Sequence, residues 1–350
     1  MNQRGASLAA VLLLLLAGGA SAAANNAPRL SEDFQSIMEW LSSESAEGMA
    51  FHSAVSFDPP VELRPGGIGF DGNFGLGTVP LHKDTFPKLQ VKTLQDTHPE
   101  SNFSNTTMFP DMTAHLRYGF ADRWEGAIRL SNMTVPRYKI SPTTEAEGQS
   151  NILGAEVRKH MGNPKLERVT VYASADYIFG SFKFFNGFQH VGVTDTLFLN
   201  SKNEGMLAWD IKTIGAGFTI SHEWGRYVPY YGFGYHYSEG VVHTRLKSVF
   251  DGNLVSPVVG EGSHSVVGTQ QLRMTLGTMR HGKNVNWYAA TEILAIGSKS
   301  GRAFAAHMGF SIPIRAGAPV GLLSKTDSEL KDAPRELETR DVPSSMIILR

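Results

Sequence analysis

The sequence predicts an all-β fold, an antiparallel transmembrane β-barrel of about ten strands, and three observations carry the prediction. Apolar residues recur with a period of two in ten separate segments, the spacing of a strand with one apolar face and one polar or small face. The links between these segments are sorted by parity, mostly long after odd-numbered segments and short after even-numbered ones. An export signal precedes them in a chain without cysteine, so stability after export has to come from packing or sheet closure and not from disulfides.

The signal occupies residues 1–22. Arg4 precedes an apolar run from Leu8 to Ala17, and Ala20-Ser21-Ala22 supplies small residues for cleavage. The run is shorter than the roughly 20 residues of a spanning helix. Residues 23–65 form an N-terminal segment before the barrel. Ser31 is placed to cap a short helix carrying Phe34, Ile37, Met38 and Leu41 at helical spacing, and Pro59, Pro60 and Pro65 end the segment. Two readings stand for it: a small periplasmic helix at the barrel mouth, or a plug inside the lumen.

The barrel is expected over residues 66–314. Gly66–Val79 sets Ile68, Phe70, Phe74 and Leu76 opposite Asp71 and Asn73. Met112–Phe120 sets Leu116, Tyr118 and Phe120 opposite His115 and Arg117, and Trp124–Thr134 sets Ile128 and Leu130 opposite Glu125 and Arg129. Ile152–Met161 opposes Leu153 and Val157 to Glu156, Arg158 and His160, and Val169–Phe179 opposes Val171 and Phe179 to Thr170 and Asp176. In Leu207–Ser221 the apolar phase slips from Leu207, Trp209 and Ile211 to Ile214, Ala216 and Phe218, which predicts a bulge near Thr213. Tyr227–Ser238 is rich in Tyr on its odd face, Val266–Gly277 opposes Met274 and Leu276 to Arg273, and Val285–Ile296 opposes Trp287 and Ile293 to Glu292. The last strand, Ala303–Ile314, alternates Phe304, Met308, Phe310 and Ile312 with His307 and Ser311 and is expected to close the ring against the first.

Short links lie around Asp122, Pro164, Gly225 and Gly282; long ones are Pro80–Asp111, Val135–Asn151, Gly180–Met206 and Glu239–Ser265, with Gly297–Arg302 a short exception. Tight turns at one end and long loops at the other are the pattern of an outer-membrane barrel, whereas a soluble sandwich has no reason to sort loops by parity. Counting Val191–Asn200 as a further strand would raise the number toward 12–14. Trp124, Trp224, Tyr227 and Trp287 near the short turns, and Trp209, Tyr177 and Tyr235 toward the long loops, suit two interfacial belts. A polar tail, residues 315–350, follows the last strand.

The signal peptide, these strands and hairpins such as YGFADRWEGAIRL resemble Gram-negative outer-membrane β-barrel proteins, at the level of architecture. The resemblance implies the bacterial outer membrane as location, outer-membrane lipid as surroundings and the barrel assembly machinery as folding partner; the role expected is structural or the porin-like transport of a small solute through a narrow pore. A net charge of −1 gives no footprint for nucleic acid. No cofactor is expected.

The inward face is expected to carry Asp71, Arg117, Glu125, Arg129, Glu156, Arg158, Asp176, Asp210, Arg273, Glu292 and His307, with Lys212, His115 and His160 beside them. About eight strands leave an interior that side chains can fill, so these charges either pair and fill the lumen or line a narrow pore for a small solute. Two further classes are a hatch-containing transporter of small hydrophobic solutes, which would use residues 23–65, and an outer-membrane hydrolase. Ten strands is a size that resembles an outer-membrane protease family, but His190, Asp195 and His243 in the outer loops show no convergent spacing, and no H-E-x-x-H or G-x-S-x-G motif is present. The expectation is a barrel that is not an enzyme.

Overall fold

The computed structural model describes residues 27–53, 60–90, 105–141, 144–163, 167–192, 198–251, 257–266, 269–296 and 303–315; the expected signal peptide and most of the polar tail lie outside the described residues. Among the described residues one α-helix, α1 (Ala27–Ser53), precedes β1 (Ile68–Pro80), β2 (Thr106–Ala121), β3 (Trp124–Ser141), β4 (Thr144–Asn163), β5 (Glu167–Gly192), β6 (Phe198–Ser221), β7 (Tyr227–Phe250), β8 (Val258–Ser265), β9 (Thr269–Arg280), β10 (Asn286–Ile296) and β11 (Phe304–Arg315). Neighbours pair antiparallel from β1 to β7, then through β9, β10 and β11 back to β1. Ten strands therefore ring the barrel. β8 pairs with β7 alone, along Val241–Ser248, while β9 takes Tyr227–Ser238 of the same strand. β8 and β9 together thus make one pass that runs the full height of β7.

The last strand does close the ring, with Phe74 opposite Met308 and Gly75 opposite His307. Alternation places the polar face inside. On β2, Thr113, His115 and Arg117 are buried, whereas Met112, Leu116, Tyr118 and Phe120 are about half exposed. Exposed apolar and buried charged side chains invert the order of a soluble sandwich, and they match a wall whose outer face meets lipid.

The strands are longer than the sequence pattern suggests. β5 has 26 residues and β6 and β7 have 24 each, against about 9–11 needed to cross a bilayer. Most of the expected long links Val135–Asn151, Gly180–Met206 and Glu239–Ser265 are strand, so the wall continues as a collar at the end away from the short turns. Val191 pairs with Leu199 within the β5–β6 hairpin, so Val191–Asn200 adds no further pass.

The expected bulge near Thr213 is absent. Thr213 pairs in uninterrupted register with Asp176 on one side and Ser238 on the other. The apolar phase changes because Leu207, Trp209 and Ile211 face the lumen and pack on α1, not because the strand slips. The helix also departs from expectation. It begins before Ser31, whose hydroxyl donates to the Val259 carbonyl instead of capping, and it continues to Ser53.

Candidate functional site

The lumen is filled in two ways along its length. At the collar end it holds α1. Phe34, Ile37, Met38 and Leu41 recur every three or four residues and pack on Leu246 and Val258. One turn lower, Ala46, Met49 and Ala50 meet Ile152, Ile178, Leu207, Trp209 and Ile211. The helix rides directly on β8. A Cβ on Gly260 would lie 2.4 Å from the Phe34 carbonyl carbon, and one on Gly262 would lie 2.2 Å from that of Met38. Only glycine allows this approach. Thr244 adds a hydrogen bond to the Met38 carbonyl at 2.7 Å.

Residues 81–90 hold the helix from above. The Glu44 carboxylate accepts from the His82 backbone N–H at 3.0 Å and lies 3.2 Å from its Nδ1. Trp40 donates to Thr85 Oγ1 at 3.0 Å and packs edge-on against Phe86. Asp33 accepts from the Gln90 backbone N–H.

The helix ends deep in the barrel. Arg273 donates to the Ala50 carbonyl at 3.0 Å and its guanidinium stands 4.9 Å from the Phe51 ring. From Pro60 the chain runs down to the short-turn end. Arg168 holds the Pro60 carbonyl at 2.8 Å, Arg117 holds the Val61 carbonyl at 2.8 Å, Leu63 donates to Glu125, and Gly66 donates to the Gly119 carbonyl. The N-terminal segment thus enters at the collar and reaches the opposite rim before β1 begins. Ten strands do enclose it.

The lower lumen is filled by charge. Arg117, fully buried, contacts Asp71 at 2.5 Å and Glu125 at 3.3 Å. Glu125 lies 3.6 Å from Arg158 and 3.4 Å from His160. Arg158 pairs with Glu156, Glu156 with Arg129 at 2.9 Å, and Arg129 with Asp176 at 2.8 Å. These contacts form one chain of alternating sign across β1 to β5. Higher up, Arg273 sits 3.8 Å from Glu292, and His307 lies 3.9 Å from Asp111. Burying a charge without a partner costs several kcal/mol, and alternation gives each ion an opposite neighbour.

The charges expected inward are buried on the inward face except Asp210 and Lys212. Asp210 is exposed on the outer face, where it accepts a hydrogen bond from the Tyr177 hydroxyl at 2.7 Å. Lys212 is exposed as well. Both corrections have one cause: β6 keeps its phase, so the residues between the inward Trp209, Ile211 and Thr213 must point out. Gly260, Gly262 and the apolar lining of the collar were not singled out from sequence, although two glycines at period two in Val258–Ser265 are a signal for close backbone approach. His243 is exposed on β7, while the side chain of His190 and the whole of Asp195 lie outside the described residues.

No known protein family and no curated protein matches the chain. Solved structures do resemble it. The translocator domain of the autotransporter NalP from Neisseria meningitidis has a TM-score of 0.37 and 10% identity, covering 79% of this chain and 99% of that one. The outer-membrane protease OmpT from Escherichia coli has a TM-score of 0.30 and 12% identity, covering 72% and 96%. A Pseudomonas aeruginosa FadL homologue has a TM-score of 0.27 and 6% identity, covering 70% and 90%. The likeness is one of barrel architecture alone.

Proposed function

We propose that the protein is an outer-membrane barrel that admits small, largely apolar solutes when its N-terminal segment withdraws. The observation that carries this reading is the lining that α1 covers. Leu207, Trp209, Ile211, Val242, Leu246 and Val258 are buried, and α1 is packed against them as a separate segment of the chain. A wall built only to stand in a membrane could fill this space with its own side chains, as the lower lumen does. With the helix out, the space becomes an apolar vestibule that opens toward the collar and leads down to the charged constriction. The segment is held there by contacts that can be remade, such as the Glu44–His82 latch and the hydrogen bonds from Arg117 and Arg168. The reading includes no catalytic step.

Uptake by intact cells tests it, using a small apolar fluorophore that lipopolysaccharide excludes. A variant lacking Asn25–Arg64 should take up the dye several-fold faster than the full chain, with a charged sugar phosphate of similar size unaffected. A folded variant barrel that leaves dye uptake unchanged would contradict gating by this segment. An equal rise for the charged solute would contradict selectivity for apolar ones.

A further inference from the structure

The wall carries a second site, independent of how the lumen works. At the short-turn rim, a depression of about 700 Å³ is lined by Arg226, Arg280, Lys283 and Trp287. The three cations are exposed and make no ion pair among the described residues. The nearest turn's acid, Glu223, faces Arg168 instead, at 4.0 Å. Arg280 and Trp287 are direct cross-strand partners on the outer face, with Tyr227 across from Arg280 on its other side. A cationic group flanked by exposed Trp and Tyr at the end of the membrane wall is the arrangement of a headgroup-level interface.

Trp287 also belongs to a second concavity. A groove of about 510 Å³ rises from it over the lipid-facing wall, floored by the small residues Gly72 and Ala114 and walled by Leu130, Met308 and Phe310. The Phe310 ring lies 6.0 Å from Trp287 and beside Gly72, where a Cβ would come within 2.8 Å of the ring. The floor is therefore low because β1 and β2 carry small residues there, and Phe310 folds over Gly72 to make one wall. The groove lies on the apolar outer wall, and the cationic depression lies at its rim.

We propose that the β9–β10–β11–β1–β2 wall binds one anionic phospholipid of the leaflet at the short-turn end. Its phosphate sits among Arg226, Arg280 and Lys283, its glycerol lies at Trp287, and one acyl chain fills the groove over Gly72 and Ala114. Neither concavity alone specifies a lipid; their junction at Trp287 does.

The test is native mass spectrometry of the full chain in mixed micelles of phosphatidylglycerol and phosphatidylcholine. Wild type should retain phosphatidylglycerol in preference. Arg226→Gln, Arg280→Gln and Lys283→Gln should each lower that preference, by about fivefold per cation. Ala114→Phe, which fills the groove from the lipid side, should weaken retention of either lipid and leave the preference in place. Lys159→Gln removes another rim cation, one stacked on Trp124 at 4.9 Å, and should change nothing. An equal loss in Lys159→Gln would show general rim charge and overturn the site. Displacement of the lipid by inorganic phosphate would assign the cations to a free anion instead. No preference in wild type would reject the proposal outright. Heat-modifiable migration on gels shows that each variant barrel has folded.

Discussion

The two halves of the lumen are closed by different means. The lower half is narrowed by the wall's own charges, Asp71, Arg117, Glu125, Arg158, Glu156, Arg129 and Asp176, which alternate in sign around β1 to β5, and is closed by the chain from Pro60 to Gly66 that runs between them. The upper half is shut by a segment that is not part of the wall, α1, seated on apolar side chains and on the glycines of β8. A charge network fixed to strands cannot leave without unpairing buried ions, which is expensive. A helix held mainly by apolar contact and a few hydrogen bonds leaves at the cost of exposing its buried face. The contrast separates a fixed constriction from a movable plug within one barrel.

The largest expected effect lies in the lower half. Arg117→Leu strands Asp71 and Glu125 together in a buried site and should cost about 3–5 kcal/mol, read as a lowered denaturant midpoint of the folded barrel in detergent. If Arg117→Leu is as stable as wild type, the network does not hold the lower half. Next comes Gly262→Leu, which drives a side chain into the Met38 backbone. Overpacking of this kind costs about 1–3 kcal/mol, and the loss should appear as protease cleavage within α1 while the barrel stays intact. Uniform cleavage of wall and helix would mean that the helix is not a separate unit. The smallest effect belongs to Asp210→Asn. As an exposed outer residue it should shift stability by no more than about 0.5 kcal/mol, and a loss comparable to Arg117→Leu would return Asp210 to the lumen.

The same contrast explains what could be read from the sequence. Strand number, ring closure and the inward charges of the lower half follow from strict alternation, because there one face meets lipid and the other meets charge. In the collar the rule changes. Leu207, Trp209 and Ile211 are apolar and inward because their partner is a helix, so a period-two reading assigns them to the wrong face and carries Asp210 and Lys212 with them. The collar strands were hidden for a related reason: runs such as Gly180-Ser181-Phe182-Lys183-Phe184-Phe185 have no lipid-facing side to keep apolar. The helix was visible at Phe34, Ile37, Met38 and Leu41, but its seat depends on Gly260 and Gly262, more than 200 residues away in sequence. No local pattern reports a contact of that range.

Single-channel recording in planar bilayers, comparing the full chain with the variant lacking Asn25–Arg64, shows whether the N-terminal segment is what closes the lumen. The full chain should show no appreciable conductance and the variant discrete open levels, since the segment threads both halves of the lumen. A stable, large conductance in the full chain, or a closed but correctly folded deletion variant, would contradict closure by the segment.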